Sequence, residues 1–499
     1  MSSRPLGIVS SKPDPPSTAF CWVELIDIDT IRKGAFVILR DAKRPNIEFI
    51  GQVIDVINSS IVLGDSYREE MLRSGKSAED IIVGSLSRPE YFKSFAKIKL
   101  MYKVIDGRKI DLVDTPPTDT SPLLGLTSSN LSAILGFSTN TKIATCLGSL
   151  YSHPDIQVCL DLNKLLEGHI AIFGQTGSGK SYASGVLIEE IVERGVPVVV
   201  FDHMGEYISM DKGVGGSKGL NLIKLTPRVN ITIDFDDVIK ASPILTALGI
   251  TEAQLNLLRD AYMEAESNKL GGLKAVKWLL EDVVTSNGKR RKRIYLIGRN
   301  KGYSTATIDG LRWKLESLLG KGIIGGGFNI VDVIKPGHLT VVDLSETDPS
   351  IRSLIVAVVL NKIAESRRKK IIPPLLVVIE EAHNYVPIEE TPSSLMIRDL
   401  IRGARHWGMS VMLISQRPSG IHRDALNIVN THIIFRIKGN DLDYIKQFTP
   451  FTKEELEDIQ TLPEGIAYVT GPAIRGGLSV KVSIRKRKTI HGGHSVKFI

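Results

Sequence analysis

The sequence is poor in cysteine, carries no long apolar run and leans only mildly to one sign of charge. Cys21, Cys146 and Cys159 are the only cysteines among 499 residues. Their odd number and the lack of paired Cys/His spacing exclude a disulfide-rich scaffold and a zinc module, and the expectation is a reducing, cytoplasmic compartment. Nowhere do about eighteen uncharged apolar residues run together, so no membrane span is expected. Residues 1–18 hold Arg4, Lys12 and several prolines but no apolar stretch of the kind a secretory signal needs. Lys+Arg 63 against Asp+Glu 55 gives a formal charge of +8, which permits an anionic partner without requiring one. Internal repeats and low-complexity segments are also missing. What remains is an ordinary globular composition, 42% hydrophobic and 24% charged, with length for about three domains.

The pattern divides the chain. Residues 1–18, rich in Ser and Pro, read as a flexible lead. Residues 19–115 carry short β-type runs, Cys21–Ile26, Ala35–Arg40, Ile47–Ile57 and Phe95–Tyr102, interrupted by a helical patch at Ser66–Leu72. They predict a small N-terminal β-barrel domain, closed off by Thr115-Pro116-Pro117-Thr118, since consecutive prolines continue neither helix nor central strand. Over 125–236 and 321–472, apolar strands alternate with longer helical stretches, the mark of an α/β domain with a parallel sheet. The expected strands are His169–Phe173, Val196–Phe201, Leu339–Leu344, Leu375–Ile379, Ser410–Ile414 and His432–Ile437. Residues 237–320 lose the strand signal and read as a helical insertion, opened by a capping box at Thr251-Glu252-Ala253-Gln254 and including helical runs at Leu273–Val284 and Ile308–Leu319. Residues 473–499 form a β-like run followed by a basic, polar arm.

Chemistry concentrates at the carboxyl ends of the predicted strands. Gly174, Gln175, Thr176, Gly177, Ser178, Gly179, Lys180 and Ser181 match the phosphate-binding loop G-x-x-x-x-G-K-[ST] between an apolar strand and a helical stretch. In such a loop backbone N–H groups turn onto phosphates, Lys180 reaches the β and γ oxygens of ATP, and Ser181 offers its hydroxyl to Mg²⁺. Glu380 and Glu381 end the strand Leu375–Ile379 in a Walker B pattern, with Glu380 expected on the metal and Glu381 on the attacking water. Asp202 ends another strand and either orients water or metal or serves as a turn residue. Gln416 follows Ser410–Ile414 and either contacts the γ-phosphate or its water, or sits as a polar turn residue. Arg398, Arg402 and Arg405 share one helical face. Solvation explains such a face, and so does an arginine supplied in trans to a neighbouring subunit, for which Arg405 comes first and Arg402 second.

Basic clusters at Lys289–Arg293, Arg367–Lys370 and Arg485–Lys488 could meet nucleic-acid phosphates or simply be solvated. None is interleaved with aromatic residues, so base stacking is not indicated.

Taken together, the β-barrel leader, the phosphate loop, Asp202-His203-Met204-Gly205-Glu206-Tyr207, the helical insertion, Ile379-Glu380-Glu381-Ala382-His383-Asn384 and Ser415-Gln416-Arg417-Pro418-Ser419 resemble the archaeal HerA DNA translocases, relatives of FtsK. The resemblance runs from about residue 20 to the end. It implies a RecA-like P-loop ATPase core and a homo-hexameric ring using ATP and Mg²⁺ to pump double-stranded DNA. It further implies an N-terminal barrel that docks a NurA-type nuclease during end resection in double-strand break repair. On motif position it gives Lys180 and Ser181 the nucleotide role, Glu380 and Glu381 the metal and hydrolytic roles, Arg405 the trans role, and Leu478–Ile499 a bracing role over the ring. The chain departs from the common P-loop motor pattern in having Glu380 where Asp is usual. From the residues alone, a ring-shaped protein-remodelling ATPase and a nucleotide-gated scaffold stay open.

Overall fold

The computed structural model describes residues 4–27, 29, 31–60, 92–106, 109–126, 128–240, 242–325 and 329–493. The chain divides into two compact units, one of Met1–Gly136 with Ser149–Gln157 and Thr452–Asp458, the other of Phe137–Gly148, Val158–Phe451 and Ile459–Ile499.

Seven strands build the first unit: β1 (Gly7–Ser10), β2 (Phe20–Leu25), β3 (Phe36–Arg40), β4 (Ile47–Ser60), β5 (Phe92–Ile105), β6 (Lys109–Asp111) and β7 (Pro122–Gly125). They pair in the order β2-β1-β7-β3-β4-β5-β6, and β2 also pairs with β5, so six antiparallel strands close on themselves and no long edge is left open. Period-two alternation sends Val9, Val23, Val37, Leu39, Phe49, Val53, Ile98 and Leu123 inward to one buried core. Two expectations fail here. Residues 1–18 are not simply a lead, because Gly7–Ser10 pairs on both sides, with β2 and with β7, and Val9 is fully buried. Nor does the Pro116-Pro117 pair end the barrel. It turns the chain so that β7 can fill the gap between β1 and β3. That turn is held by the buried Asp41 carboxylate, which accepts from the Thr118 N–H at 3.0 Å, the Thr118 hydroxyl at 2.9 Å and the Arg44 guanidinium at 2.7 Å. Arg44 in turn donates to the Pro116 carbonyl at 2.8 Å. The helical patch expected at Ser66–Leu72 lies outside the described residues.

Except for Ser149–Gln157, which fall in the first unit, the second unit carries the whole of an eleven-stranded sheet. Its strands are β8 (Ala144–Leu150), β9 (His153–Asp161), β10 (His169–Phe173), β11 (Val198–Asp202), β12 (Asn221–Leu225), and, beyond a separate hairpin of β13 (Asp282–Val284) and β14 (Arg290–Lys292), β15 (His338–Asp343), β16 (Leu375–Ile379), β17 (Met409–Ser415), β18 (Val429–Ile434), β19 (Ile466–Thr470) and β20 (Ser479–Ile484). The order is β12-β15-β11-β16-β17-β10-β18-β19-β20-β8-β9, parallel from β12 to β18 and antiparallel from β18 to β20. Every residue of β10, β11, β16 and β17 is buried, as parallel strands covered by helices on both faces require. The helices that matter for the site are α1 (Lys180–Glu193), which follows β10, α2 (Pro349–Arg368) and α3 (Pro392–Ala404).

The α/β class with a separate barrel is as expected, and the capping box at Thr251 forms with both of its reciprocal bonds. Between residues 237 and 320 the chain carries helices Glu252–Ser267, Gly272–Leu279, Arg293–Asn300 and Thr305–Gly320. The helix expected to run to Val284 stops at Leu279, because Asp282–Val284 turns into the hairpin with Arg290–Lys292. The cysteines also differ from expectation: Cys146 and Cys159 are joined in a disulfide, because β8 and β9 are neighbours in the sheet, while Cys21 is free and buried in the barrel. Among the described residues no helix is long and apolar enough to cross a membrane.

Candidate active site

The parallel order β11-β16-β17-β10 brings four strand ends side by side, at the carboxyl edge where open α/β sheets bind ligands. β10 stops at Phe173, the loop 174–179 follows, and α1 starts at Lys180. Gly177 (φ +73°) and Gly179 (φ +111°) lie in the left-handed region. A side chain at Gly174 would sit 2.6 Å from the Cβ of Phe435 and from Ser178 Oγ. The Ser178 hydroxyl ties the turn by donating to the Gln175 carbonyl at 2.7 Å. Gly179, which caps α1, offers no side-chain acceptor, so the first N–H groups of the helix are open to an anion. Lys180 is buried, and its ammonium donates to the Gln175 carbonyl at 3.0 Å. Burial pulls its pKa down, against the pull of Glu381, Glu206 and Glu380. The loop opens on a cavity of about 680 Å³.

Acids line the other side. Glu380 is buried, and its Oε2 accepts from the backbone N–H of His203 at 2.8 Å and of Met204 at 3.2 Å. Burial and the nearby carboxylates of Asp202 and Glu206 push its pKa well up. Asp202 is raised as well, first by burial. Asp202 accepts three bonds, from the N–H groups of Gly205 (2.8 Å), Glu206 (3.0 Å) and Tyr207 (2.9 Å). Of the two roles open in the sequence, its geometry is that of the turn residue, which organises the chain leaving β11.

Glu381 adopts φ 46° and ψ 51°, a conformation that is strained for a residue with a Cβ and that costs about 1–3 kcal/mol. The strain aims its carboxyl into the cavity that Lys180 also lines. Burial raises the Glu381 pKa against the pull of Lys180 and of a bond from the Gln416 N–H. His383 Nδ1 stands 3.3 Å from Glu381 Oε2, and burial holds this imidazole below its ordinary pKa. The side chain of Gln416 reaches the phosphate loop itself: the Thr176 hydroxyl donates to Gln416 Oε1 at 2.5 Å.

The arginines separate. Arg398 and Arg402 both bond Asp424, at 3.3 and 2.7 Å. Arg405 is exposed at the end of α3 and makes no ion pair among the described residues. Its charge acts on His169, the first residue of β10, which puts it at the amino edge of the sheet, away from the phosphate loop of its own chain.

A family profile described as "Helicase HerA, central domain" matches residues 145–363. The "DNA double-strand break repair helicase HerA" of Pyrococcus furiosus is 29% identical over 392 residues, 69% of this chain and 70% of that protein. The protein of the same description from Sulfolobus acidocaldarius is 27% identical over 469 residues, 91% and 88%. The chain is similar to the HerA helicases over most of its length. The fold also matches the bacterial conjugative coupling protein TrwB without its first 70 residues, at TM-score 0.52 and 14% identity, over 74% of this chain and 94% of that one. TrwB solved with ADP and Mg²⁺ matches at TM-score 0.51 and 14% identity, over 73% and 93%.

The residues of the site suit ATP with Mg²⁺. Among the described residues no group of three or more His, Cys, Asp and Glu side chains is arranged to hold a metal on its own. That is the usual state of a Mg²⁺ site completed by substrate phosphates and water. The oxygen donors at hand are Ser181, Glu380 and the half-buried Glu206, whose buried Oε2 has no hydrogen-bond partner among the described residues. The mutual repulsion of these acids is what a bound cation would offset.

The sequence pattern assigns no role to Glu206 and no partner to the basic run of the arm. Glu206 stood inside a recognised box but was given no role. The basic run Arg485–Lys488, open to nucleic acid on the sequence, is largely consumed within the chain: Arg485 bonds Glu189 at 2.9 Å and Glu190 at 2.7 Å, and Lys488 bonds Glu190 at 3.2 Å and Glu193 at 2.5 Å. The acidic triplet Glu189, Glu190 and Glu193 on the helix after the phosphate loop was the available signal.

Proposed function

We propose that this chain is an ATP-driven double-stranded DNA translocase and helicase motor that works as a homo-hexameric ring. The resemblance adds a nuclease of the NurA type, docking through the β-barrel, in DNA end resection. The observation that carries the motor reading is the Thr176–Gln416–Glu381 connection, which ties the phosphate loop to two groups at adjacent strand ends. Such a connection can report whether a γ-phosphate is present and pass that state into the sheet.

In this reading the triphosphate lies on the N–H groups of the loop and of the first turn of α1, with Lys180 against the β and γ oxygens. Ser181 and Glu380 would hold Mg²⁺, which when bound neutralises charge on the phosphates. Water attacks the γ-phosphorus in line with the bond to the β-phosphate oxygen; that bond breaks, ADP leaves, and the proton of the water passes to Glu381. A carboxyl whose pKa is raised by burial is a better proton acceptor near neutral pH than an exposed one. Arg405 supports the ring: it lies at the edge of the sheet away from its own phosphate loop, so a γ-phosphate it offsets belongs to a neighbour.

The test is displacement of a third strand from a DNA triplex. Wild type with ATP displaces it, while Lys180→Ala does not. ATP hydrolysis at full rate with no displacement, on any duplex length, would remove the translocase reading.

A further inference from the structure

We propose that the segment 485–493 forms the wall of the nucleotide cavity that receives the base and ribose, so that His491 and Tyr182 set affinity for the nucleoside part of the ligand. The inference rests on the phosphate-loop reading given above and extends it to residues that reading does not use.

The cavity has a phosphate end and another end. Backbone N–H groups of the loop and the first turn of α1 hold the phosphates, and Tyr182 is the residue directly after Ser181. A nucleoside attached to the α-phosphate therefore leaves past Tyr182. The walls met there are not part of the loop: Tyr182, Ile484 at the end of β20, Glu464 and Gly465 before β19, and His491 and Gly493 from the arm. Two rings and one aliphatic side chain make a slot suited to a flat heterocycle. The Tyr182 and His491 rings stand edge to face, 5.8 Å apart and at 80°.

The arm is fixed there by a buried polar network rather than by chance contact. Arg487 is buried and its guanidinium packs on α1 at Gly185, where a Cβ would come within 2.4 Å of Cζ. It donates to His491 Nδ1 at 3.0 Å, which orients the imidazole. The backbone N–H of Arg487 donates to the Tyr182 hydroxyl at 2.8 Å, which orients the other ring. The fully buried carboxylate of Glu189 accepts from the N–H groups of Lys488 (2.9 Å) and Thr489 (2.8 Å) and from the Thr489 hydroxyl (2.7 Å). Beyond His491 the arm turns down onto the box after β11: the Gly492 N–H donates to the Glu206 carbonyl at 3.2 Å, and a Cβ at Gly492 would sit 2.7 Å from that oxygen. Nucleotide binding and arm docking thus share one set of contacts, and each strengthens the other.

The experiment compares ATP with inorganic tripolyphosphate, both in Mg²⁺ buffer, by calorimetric titration of the full chain. His491→Ala and Tyr182→Leu are expected to weaken ATP about tenfold, the range for losing one base–aromatic contact, and to leave tripolyphosphate within about twofold. His491→Phe is expected to restore ATP. Equal losses for both ligands, or no loss for ATP, would overturn the inference. Lys180→Ala serves as the control and is expected to abolish both. If wild type bound neither ligand, the phosphate-loop reading itself would fall, a result distinct from tripolyphosphate binding with ATP no tighter, which would overturn the arm's role alone.

Discussion

The Thr176 hydroxyl donates to Gln416 Oε1 across 2.5 Å, joining the phosphate loop to the residue that follows β17. The backbone N–H of the same Gln416 faces Glu381 and pulls its pKa down against burial. In the mechanism proposed above, a γ-phosphate arriving at the loop competes for the Gln416 amide, and the exchange is felt at the strand end that carries Glu381. Gln416→Ala is therefore expected to keep ATP binding within about threefold and to slow hydrolysis by about 10²-fold or more, the usual loss when one preorganised polar group is removed. Equilibrium binding of a fluorescent ATP analogue and phosphate release, measured on one preparation, check both halves.

Glu381 is held in a left-handed conformation that glycine would adopt freely. Glu381→Gln is expected to bind ATP and to hydrolyse it about 10²–10⁴-fold more slowly. Glu381→Gly is expected to be as inactive but no less stable than wild type, because it releases about 1–2 kcal/mol of backbone strain and a buried carboxyl. Thermal unfolding without nucleotide makes the comparison.

Arg405 and Glu381 lie at opposite edges of the sheet. In the ring proposed above, each active interface would take its acid from one subunit and its arginine from the next. Arg405→Ala and Glu381→Gln, each inactive alone, should regain part of the wild-type hydrolysis when mixed and reassembled. No recovery at any mixing ratio would mean that Arg405 does not act between subunits.

Asp41 anchors the turn that returns the chain to β7. Burial raises its pKa, but the bonds from Arg44 and Thr118 outweigh burial and hold the carboxyl well below the ordinary range. A depressed folded-state pKa means stability present in full above the unfolded pKa of about 3.9 and lost as pH falls below it. Asp41→Asn should cost about 2 kcal/mol near neutral pH and flatten the acid limb of barrel stability. Hydrogen exchange of the β3 and β7 amides between pH 3 and 7 reads both effects.

The parallel strands were legible because burial on both faces demands continuous apolar runs, and β10 and β16 begin and end where those runs do. The phosphate loop and the two glutamates were legible because their chemistry fixes residue type and spacing. Four-residue strands in proline-bearing segments were not. Gly7–Ser10 and Pro122–Gly125 have too few residues to show a period, and their reason for being strands is the gap in the barrel that each fills. The Cys146–Cys159 bond escaped notice because it depends on β8 and β9 lying side by side, which no local pattern announces. The arm was read as free charge because its partners, Glu189 and Glu190, lie about 300 residues earlier in the chain.

In the proposed motor, ATP hydrolysis at Lys180 is coupled to duplex DNA. The direct measurement is ATP turnover by wild type and Lys180→Ala, with and without linear duplex DNA, across a salt series. A DNA motor gives turnover stimulated by DNA, stimulation that fades as salt rises because phosphate contacts weaken, and none of either in Lys180→Ala. Turnover that depends on Lys180 but is indifferent to DNA at every salt concentration would contradict it.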